Sequence, residues 1–446
     1  MAVPVKVPDI GTTQDEVILR AWLVEPGDTI KRGDIIAEME TDKAIVDFEC
    51  PLEGTVLALI AQPEDYVKTG DVLMWLGAPG EAVPEGEPTG AAPAAKAEPR
   101  AEKAAPQAAA VVAPARERKT SIAIEARDIT DPAFLLALYR KMLLIRQFEE
   151  RVKFLFLEGV MPGTIHQYQG EEAVAVGVCS ALQADDVITS THRPHGHALA
   201  RGLTVESLMH ELFGKATGCC KGKGGSMHVG DLAKGMVPAI AIVGGGVPIA
   251  TGVGLAFKMK QEPRVAVCFM GDGAVNEGAF HEGVNIGAIW SLPVVYVIEN
   301  NLYSASTPIC TTALVDYLAD RACAYGIPGL TVDGNDVIEV HKAAAAALDR
   351  ARTGEGPTIL ECMTYRITGH SRRDPCHYQP EEERRIAMER EPLKRFSAQL
   401  LAGGAADQAA LDEIRVEVDA EIEAAVESAM AAPDPAPEDA LEGLWV

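Results

Sequence analysis

The chain has 446 residues, which is enough for two or three domains. Its 65 acidic residues outnumber 40 basic ones, and the net charge of −25 argues against nucleic acid or an anionic membrane as a partner. The sequence contains no apolar run of the roughly 20 residues that a membrane span requires. Because the N-terminus lacks signal-peptide and transit-peptide character, we expect a cytoplasmic protein.

Residues 1 to 77 predict a small β domain, because this segment repeats itself at an offset of 37 residues. The positions Pro26, Asp28, Ile30, Lys31, Gly33, Asp34 and Ile35 correspond to Pro63, Asp65, Val67, Lys68, Gly70, Asp71 and Val72. Two copies of one strand-turn-strand unit indicate a quasi-twofold β sandwich. Between the copies, Thr41-Asp42-Lys43 interrupts the apolar alternation, which predicts a hairpin with Lys43 at its tip. A solvated surface lysine is the alternative interpretation.

Residues 78 to 120 form a segment dominated by Ala, Pro, Glu and Gly. Such a composition buries too little apolar surface to offset the entropy of ordering, which predicts a flexible linker. As polyproline, some 40 residues at about 3.1 Å each would reach on the order of 100 Å. The segment is either an inert spacer or a tether for the preceding domain.

From residue 121 onwards the pattern is that of an α/β domain. Asp131-Pro132 marks the start of a long amphipathic helix. Two short, β-branched runs, 264–270 and 294–299, predict buried parallel strands joined by one crossover helix. We therefore expect residues that follow these strands to meet at one edge of a parallel sheet.

An acid and an amide follow these two predicted strands. Asp272 offers a carboxylate oxygen and Asn301 an amide oxygen, both of which suit Mg²⁺, while Gly271 and Gly273 let a phosphate approach the backbone. Gly-Asp-Gly by itself is most often an ordinary strand-helix turn. Its combination with Asn301 across one helix is more specific, and this spacing resembles the thiamine diphosphate motif. The stretch predicts a Mg²⁺-bound diphosphate.

The sequence argues against two other kinds of cofactor, zinc and a nicotinamide dinucleotide. His192, His195 and His197 lie within six residues, but no acidic or cysteine ligand accompanies them at a recognised zinc spacing. Arg193, in the same run, follows a predicted strand and is a natural phosphate ligand. The glycine-rich stretches place no third glycine in the Gly-x-Gly-x-x-Gly register, which argues against a nicotinamide oxidoreductase.

The N-terminal segment resembles a lipoyl domain. The sequence from Glu40 to Ala44 matches the lipoylation hairpin of that family closely. The resemblance implies that Lys43 carries lipoate in an amide bond, and it favours a swinging tether for residues 78 to 120.

Residues from about 130 to 446 resemble the alpha subunit of the thiamine-dependent decarboxylating component of 2-oxo acid dehydrogenase complexes, with the motifs in the family's order. The resemblance implies oxidative decarboxylation of a 2-oxo acid, most often pyruvate, with reductive acylation of a lipoyl group. Acetoin cleavage and branched-chain substrates are the alternatives. By resemblance, Mg²⁺ is held by Asp272, Asn301 and the Tyr303 carbonyl, and the diphosphate is held by His192, Arg193, Gly273 and Ala274. The aminopyrimidine ring of the cofactor would lie near Ala241 and Val243. The reaction centre would be lined by His166 and His370.

The resemblance also implies partners. A beta subunit would supply the activating glutamate in an α₂β₂ assembly, beside acyltransferase and dihydrolipoyl dehydrogenase components. Ser371 aligns with a serine that is phosphorylated in mitochondrial relatives, whereas Tyr378 replaces a second one, which argues against kinase control. Since lipoyl domains more often belong to the acyltransferase, a lipoyl carrier with a vestigial thiamine domain is a further hypothesis. The intact Asp272 and Asn301 argue against it.

The expected fold class is therefore α/β. A thiamine diphosphate-binding parallel-sheet domain at 121–446 follows an all-β lipoyl domain of the barrel-sandwich hybrid type at 1–77 and a flexible linker at 78–120.

Overall fold

The computed structural model describes residues 2–7, 16–40, 45–63, 65–68, 70–78, 81 and 129–442. Its Cα positions group into two compact units, an N-terminal β unit and a larger α/β unit. Lys43 and residues 82–120 of the predicted linker lie outside the described residues. Among the helices that the structure describes, none is long and apolar enough to cross a bilayer.

The N-terminal unit is an all-β sandwich. Its strands within the described residues are β1 (Val3–Lys6), β2 (Glu16–Trp22), β3 (Thr29–Ile30), β4 (Ile35–Glu40), β5 (Ile45–Glu49), β6 (Gly54–Leu59), β7 (Tyr66–Lys68) and β8 (Val72–Gly77). They form two antiparallel sheets in the orders β1-β8-β6-β3 and β5-β4-β2-β7. Side chains from both sheets meet in one core that includes Leu19, Ile36, Leu73 and Met74.

The 37-residue repeat of the sequence is a structural repeat. Adding 37 to the residue numbers of β2, β3 and β4 gives approximately those of β6, β7 and β8. The neighbouring strands β4 and β2 of one sheet therefore correspond to the neighbouring strands β8 and β6 of the other. The turns repeat as well: the Glu25 N–H donates to Asp28 Oδ2 at 2.8 Å, and the Gln62 N–H donates to Asp65 Oδ2 at 2.7 Å. The predicted quasi-twofold sandwich is confirmed.

The strands on either side of the predicted lipoylation site pair as a hairpin requires. β4 and β5 are antiparallel, and Glu40 lies opposite Ile45 in their register. Lys43 belongs to the four residues between them, 41–44, which lie outside the described residues. The position of Lys43 at the tip stays a prediction.

The second unit is built around a parallel sheet. Its strands within the described residues are β9 (Val187–Thr189), β10 (Ala266–Gly271), β11 (Val294–Asn300), β12 (Tyr303–Ser304), β13 (Thr307–Pro308), β14 (Gly329–Asp333) and β15 (Thr358–Met363). The α-helices of residues 129–442 are α1 (Pro132–Leu157), α2 (Glu172–Cys179), α3 (His195–Arg201), α4 (Val205–Leu212), α5 (Gly246–Lys260), α6 (Gly278–Ile289), α7 (Val337–Arg352), α8 (Glu381–Glu389), α9 (Pro392–Ala402) and α10 (Gln408–Ala431).

The sheet confirms the predicted neighbouring strands. Its order is β14-β15-β11-β10-β9, and every pair is parallel. All seven residues of β11 are buried, as expected for a strand covered on both faces. α6 is the crossover between β10 and β11, but a 3₁₀ turn, Asp272–Asn276, separates it from the strand. The predicted crossover helix is therefore present, with a tight turn between it and the end of β10.

A buried ion pair fixes the helix that leads into the site. The Arg146 Nε on α1 lies 2.6 Å from Glu172 Oε1 at the first residue of α2, and Arg146 also reaches Glu391 at 3.1 Å. Glu172 is fully buried, so its charge requires this partner. The loop before α2 is thereby held against the sheet.

Candidate active site

A cavity of about 350 Å³ opens at the carboxyl ends of β9, β10 and β11. Parallel sheets bind ligands at this edge, because the loops that leave the strands converge there. All ten residues predicted to bind the cofactor line it: His192, Arg193, Ala241, Val243, Asp272, Gly273, Ala274, Asn301, Tyr303 and His370. We call Asp272, Gly273, Asn301 and Tyr303 the strand-end wall, and His166, His192 and His370 the histidine wall. His166 is not itself part of the cavity lining and packs against the rings of His192 and His370.

Asp272 is prepared for a cation. Its side chain is buried, and Oδ1 accepts hydrogen bonds from the Gly273 N–H at 2.7 Å and from Ser304 Oγ at 3.2 Å. Oδ2 is buried without a hydrogen-bond partner among the described residues. Burial raises the pKa of the Asp272 carboxyl to about 6. A buried carboxylate with one unsatisfied oxygen is costly unless a positive charge joins it, so this side chain fits a divalent metal ion.

Asn301 and Tyr303 supply further oxygen atoms to this wall. Asn301 Nδ2 donates to Glu171 Oε1 at 2.9 Å, which orients the amide, and Asn301 Oδ1 accepts the Tyr303 N–H at 3.3 Å. The Tyr303 carbonyl accepts from Arg366 Nη1 at 3.2 Å. A carbonyl oxygen has two lone pairs, so each keeps one for a metal. Carboxylate, amide and carbonyl oxygens together are the donor set of a Mg²⁺ site.

Gly273 lies where a side chain would collide with its surroundings. A Cβ at this position would lie 2.6 Å from Ser304 Oγ and 2.9 Å from Ser304 Cβ, whereas a Cβ at Gly271 would meet no atom within 4 Å. The phosphate approach to Gly271 and Gly273 stays a prediction.

Arg193 joins the loops on the opposite side of the cavity. Its guanidinium is buried and donates to the Gln167 carbonyl and, at 3.0 Å, to the His370 carbonyl. Burial lowers the pKa of Arg193. Because a guanidinium has five N–H donors, these two contacts leave donors for a phosphate oxygen.

The histidine wall brings together side chains that are far apart in sequence. The ring centroids lie 4.9 Å apart for His166 and His192, 5.0 Å for His166 and His370, and 5.2 Å for His192 and His370. Burial, reinforced by Arg193, lowers the pKa of His166 to about 3 and that of His192 to about 2. Both imidazoles are therefore neutral at pH 7, and each can donate one N–H and accept at its other nitrogen.

The other histidines near this sequence run do not join the histidine wall. His195 Nδ1 lies 3.0 Å from Glu149 Oε1 and its Nε2 lies 3.0 Å from Ser226 Oγ, both in the buried interior. His192, His195 and His197 therefore form no joint metal cluster in the structure. The loop folds so that only His192 of the three reaches the cavity.

A buried polar network under the cavity was not anticipated from the sequence. Glu299 accepts a hydrogen bond from the Tyr168 hydroxyl, and its Oε1 lies 2.9 Å from His197 Nε2. His197 Nδ1 lies 2.8 Å from Ser190 Oγ. The available signal was Glu299 itself, an acid inside an otherwise apolar buried strand, because such a residue requires partners.

Glu171 is a second acid that lines the cavity and was missed. Burial and the neighbouring Glu299 raise the pKa of Glu171 to about 8. Its hydrogen bond to Asn301 links this acid to the strand-end wall. Arg366 was also missed: it is buried and donates to the carbonyls of Tyr303 and Ala305.

Comparisons with known proteins agree with this geometry. The family model described as "Dehydrogenase E1 component" matches residues 140–438, about two thirds of the chain. The chain belongs to the dehydrogenase E1 component family. A second model, of the biotin/lipoyl type and described as "Biotin-requiring enzyme", matches residues 3–76. As an E1 protein, the chain is an oxidoreductase that uses thiamine diphosphate with Mg²⁺, and its N-terminal domain carries a lipoyl group on a lysine.

The relatives of this E1 chain are alpha subunits. The alpha subunits of acetoin:2,6-dichlorophenolindophenol oxidoreductase from Bacillus subtilis and Cupriavidus necator are 52% and 46% identical to it. Those matches cover 63% and 65% of this chain and 85% and 87% of the relatives. The pyruvate dehydrogenase E1 alpha subunit of Zymomonas mobilis is 43% identical over 66% of this chain and 85% of its own. The predicted family, fold class and cofactors are confirmed.

Proposed function

We propose that this E1 alpha subunit cleaves a carbon–carbon bond next to a carbonyl group and passes the resulting acyl group to a lipoyl group. The observation that carries the proposal is the buried, unpartnered Oδ2 of Asp272 beside the Asn301 amide, at the sheet edge that lines the cavity. Thiamine diphosphate would supply, when bound, a nucleophilic carbon for the carbonyl and a cationic ring that takes up the electrons of the broken bond.

The chain's own residues hold and orient the reactants. Asp272, Asn301 and the Tyr303 carbonyl would hold Mg²⁺, and the backbone at Gly273 and Ala274 would cradle the diphosphate. Arg193 would neutralise phosphate charge from the opposite side. These contacts place the reacting carbon of the cofactor and the substrate in a fixed orientation, which lowers the entropic part of the barrier.

His166 and His370 would act at the reacting oxygen. A neutral imidazole N–H at this position stabilises a developing alkoxide by a hydrogen bond and can pass a proton to it. Ala241 and Val243, also in the cavity lining, would contact the aminopyrimidine ring.

For the substrate we propose acetoin first and pyruvate second. The acetoin-type relatives reported above share more identity with this chain than the pyruvate-type relative does, which favours acetoin over the pyruvate that the sequence suggested. Pyruvate and branched-chain 2-oxo acids stay candidates because their chemistry uses the same cofactor site.

The cavity has an open side that suits a beta subunit. Val243 lines the cavity yet is 54% exposed, and the neighbouring Ile242 is 76% exposed. The exposed apolar surface continues along α5 and α6 through Ile249, Met259, Ile286, Ile289 and Trp290. We propose that the beta subunit covers this face in an α₂β₂ assembly and contributes the activating glutamate, with acyltransferase and dihydrolipoyl dehydrogenase components completing the complex.

The test uses the chain co-purified with its beta partner. Reduction of 2,6-dichlorophenolindophenol is measured with acetoin, pyruvate and branched-chain 2-oxo acids in thiamine diphosphate and Mg²⁺. We expect turnover with acetoin above that with pyruvate. The reverse order would move the assignment to pyruvate, and no turnover with any substrate would favour a lipoyl carrier with a vestigial thiamine domain.

The variant Lys43→Arg separates the proposed carbon–carbon bond cleavage from the proposed acyl transfer to a lipoyl group. The variant should keep dye reduction, because the artificial acceptor needs no lipoyl group, and should lose acyl transfer to the chain's own lipoyl group. Intact mass of the wild-type chain should show one lipoyl group that this variant lacks.

A further inference from the structure

The histidine wall has the spacing of a three-histidine metal site. With a metal–nitrogen bond of about 2.0–2.1 Å, an imidazole centroid lies about 3.2 Å from the metal. Three such rings at tetrahedral angles have centroids about 5 Å apart. The observed separations are 4.9, 5.0 and 5.2 Å. One ligand nitrogen from each ring lies within 4.8 Å of the other two, so ring rotation rather than backbone movement would bring them onto one ion.

A second, independent observation points to a ligand at this place. His166 Nδ1 and His192 Nε2 are buried and have no hydrogen-bond partner among the described residues. His166 is only 8% exposed, so its unsatisfied nitrogen has little access to solvent. Buried polar atoms of this kind are uncommon and call for a partner such as an ion.

We propose that His166, His192 and His370 form a binding site for a borderline divalent transition ion such as Zn²⁺ or Co²⁺, separate from the Mg²⁺ site at Asp272. Imidazole nitrogen prefers such ions, whereas carboxylate and amide oxygens prefer Mg²⁺. Three protein ligands leave a fourth position open toward the cavity.

The charges around the histidine wall permit such an ion. Arg193 and Arg366 are positive side chains that would repel such an ion, but both guanidinium groups donate to main-chain carbonyls. Arg193 bonds those of Gln167 and His370, and Arg366 bonds those of Tyr303 and Ala305. Glu299 lines the same cavity, and its side chain would offset a positive ion. An ion at the wall would occupy the place from which His166 and His370 face the substrate, so it would inhibit the enzyme reversibly.

The test is a titration of the full-length chain with Co²⁺ in saturating Mg²⁺, followed by visible absorption spectroscopy. We expect one Co²⁺ per chain with the intense bands of a four-coordinate, nitrogen-rich site, and displacement of the ion by Zn²⁺ or a chelator. Weak six-coordinate bands, or no saturable binding, would overturn the proposal. This readout does not depend on catalysis, so it can fail while the proposed function stands.

Variants locate the ion. His192→Phe keeps the ring volume and should weaken Co²⁺ binding more than about 10-fold, since it removes a ligand. Asp272→Asn should leave Co²⁺ binding unchanged, and His281→Phe is the matched control, because His281 is exposed and bonds Tyr325 instead. Loss of Co²⁺ binding in Asp272→Asn with retention in His192→Phe would place the ion at the strand-end wall and refute the site. If His192→Phe does not fold, the wild-type spectrum still decides.

Discussion

The two walls of the cavity are built in different ways. The strand-end wall follows β10 and β11, whose register pairs Gly271 with Glu299, so the positions of Asp272 and Asn301 are set by main-chain hydrogen bonds of the sheet. The histidine wall comes from three loops that meet only through tertiary contacts, including Arg193 to the His370 carbonyl and the Arg372 N–H to the Ile165 carbonyl at 2.9 Å. The hydrogen bonds of the sheet therefore determine the geometry of the proposed metal site, whereas contacts between loops determine the geometry of the proposed reaction centre.

The largest expected effect is that of Asp272→Asn on the strand-end wall. Loss of the carboxylate should weaken Mg²⁺ and thiamine diphosphate binding by more than the roughly 10–100-fold seen for outer-shell changes, and abolish turnover. Calorimetric titration with the cofactor measures it. Asp316→Asn, at an exposed position outside the cavity lining, is the matched control. Normal cofactor affinity in Asp272→Asn would contradict the assignment of this ligand.

The same substitution should stabilise the cofactor-free chain. The pKa of Asp272 is about 6 in the folded state and about 3.9 in a free chain, so the folded state loses stability as pH rises from about 4 to about 6. Asparagine removes this penalty, which is on the order of 2–3 kcal/mol at pH 7. Thermal denaturation without cofactor should therefore show a higher Tm for Asp272→Asn at pH 7 and little difference at pH 4.

Arg193→Lys is the corresponding change on the loop side. A lysine ammonium cannot contact the Gln167 and His370 carbonyls in the same fork geometry, so the histidine wall should shift relative to the strand-end wall. We expect about a 100-fold loss in kcat/KM, as for a misplacement of about 1 Å. Arg201→Lys is the control, since Arg201 also donates to main-chain carbonyls but does not line the cavity. Equal effects of the two changes would refute a special role for Arg193.

Glu171→Gln tests the acid that accepts a hydrogen bond from the Asn301 amide of the strand-end wall. The raised pKa of Glu171, about 8 against 4.5 for a free side chain, means that the folded chain loses stability as pH rises between these values. Glutamine removes this dependence and keeps an oxygen for the Asn301 amide. In the cofactor-free chain the Tm advantage of the variant should grow from pH 5 to pH 8.5, and a constant difference would contradict the assignment.

Ser304→Ala should have the smallest effect. It removes the 3.2 Å hydrogen bond to Asp272 Oδ1 and leaves the Gly273 N–H contact in place. The cost of one hydrogen bond is about 1 kcal/mol, which corresponds to about fivefold weaker Mg²⁺ binding. A loss as large as that of Asp272→Asn would mean that Ser304 itself holds the ion.

The contrast between the walls also explains what could be predicted from the sequence. The runs before Asp272 and Asn301 have the composition of buried parallel strands, and parallel strands deliver their following residues to one edge, so this wall is recognisable locally. The duplicated turns around Asp28 and Asp65 made the N-terminal sandwich recognisable in the same way. The roles of Glu171 and Glu299 depend on side chains more than 100 residues away, and no local pattern encodes such partners.

The histidine wall could be predicted from the sequence only in part. Its members follow from the resemblance, but their mutual packing, and the burial that keeps His166 and His192 neutral, are shown only by the structure.

The most direct test of the account is a crystal structure of the chain with its beta partner, thiamine diphosphate and Mn²⁺ in place of Mg²⁺. The anomalous signal of Mn²⁺ locates the ion without reference to activity. We predict one peak at the strand-end wall, about 2.1 Å from oxygens of Asp272, Asn301 and Tyr303, with the diphosphate against Gly273. A cofactor bound with its metal away from Asp272 would contradict the central claim.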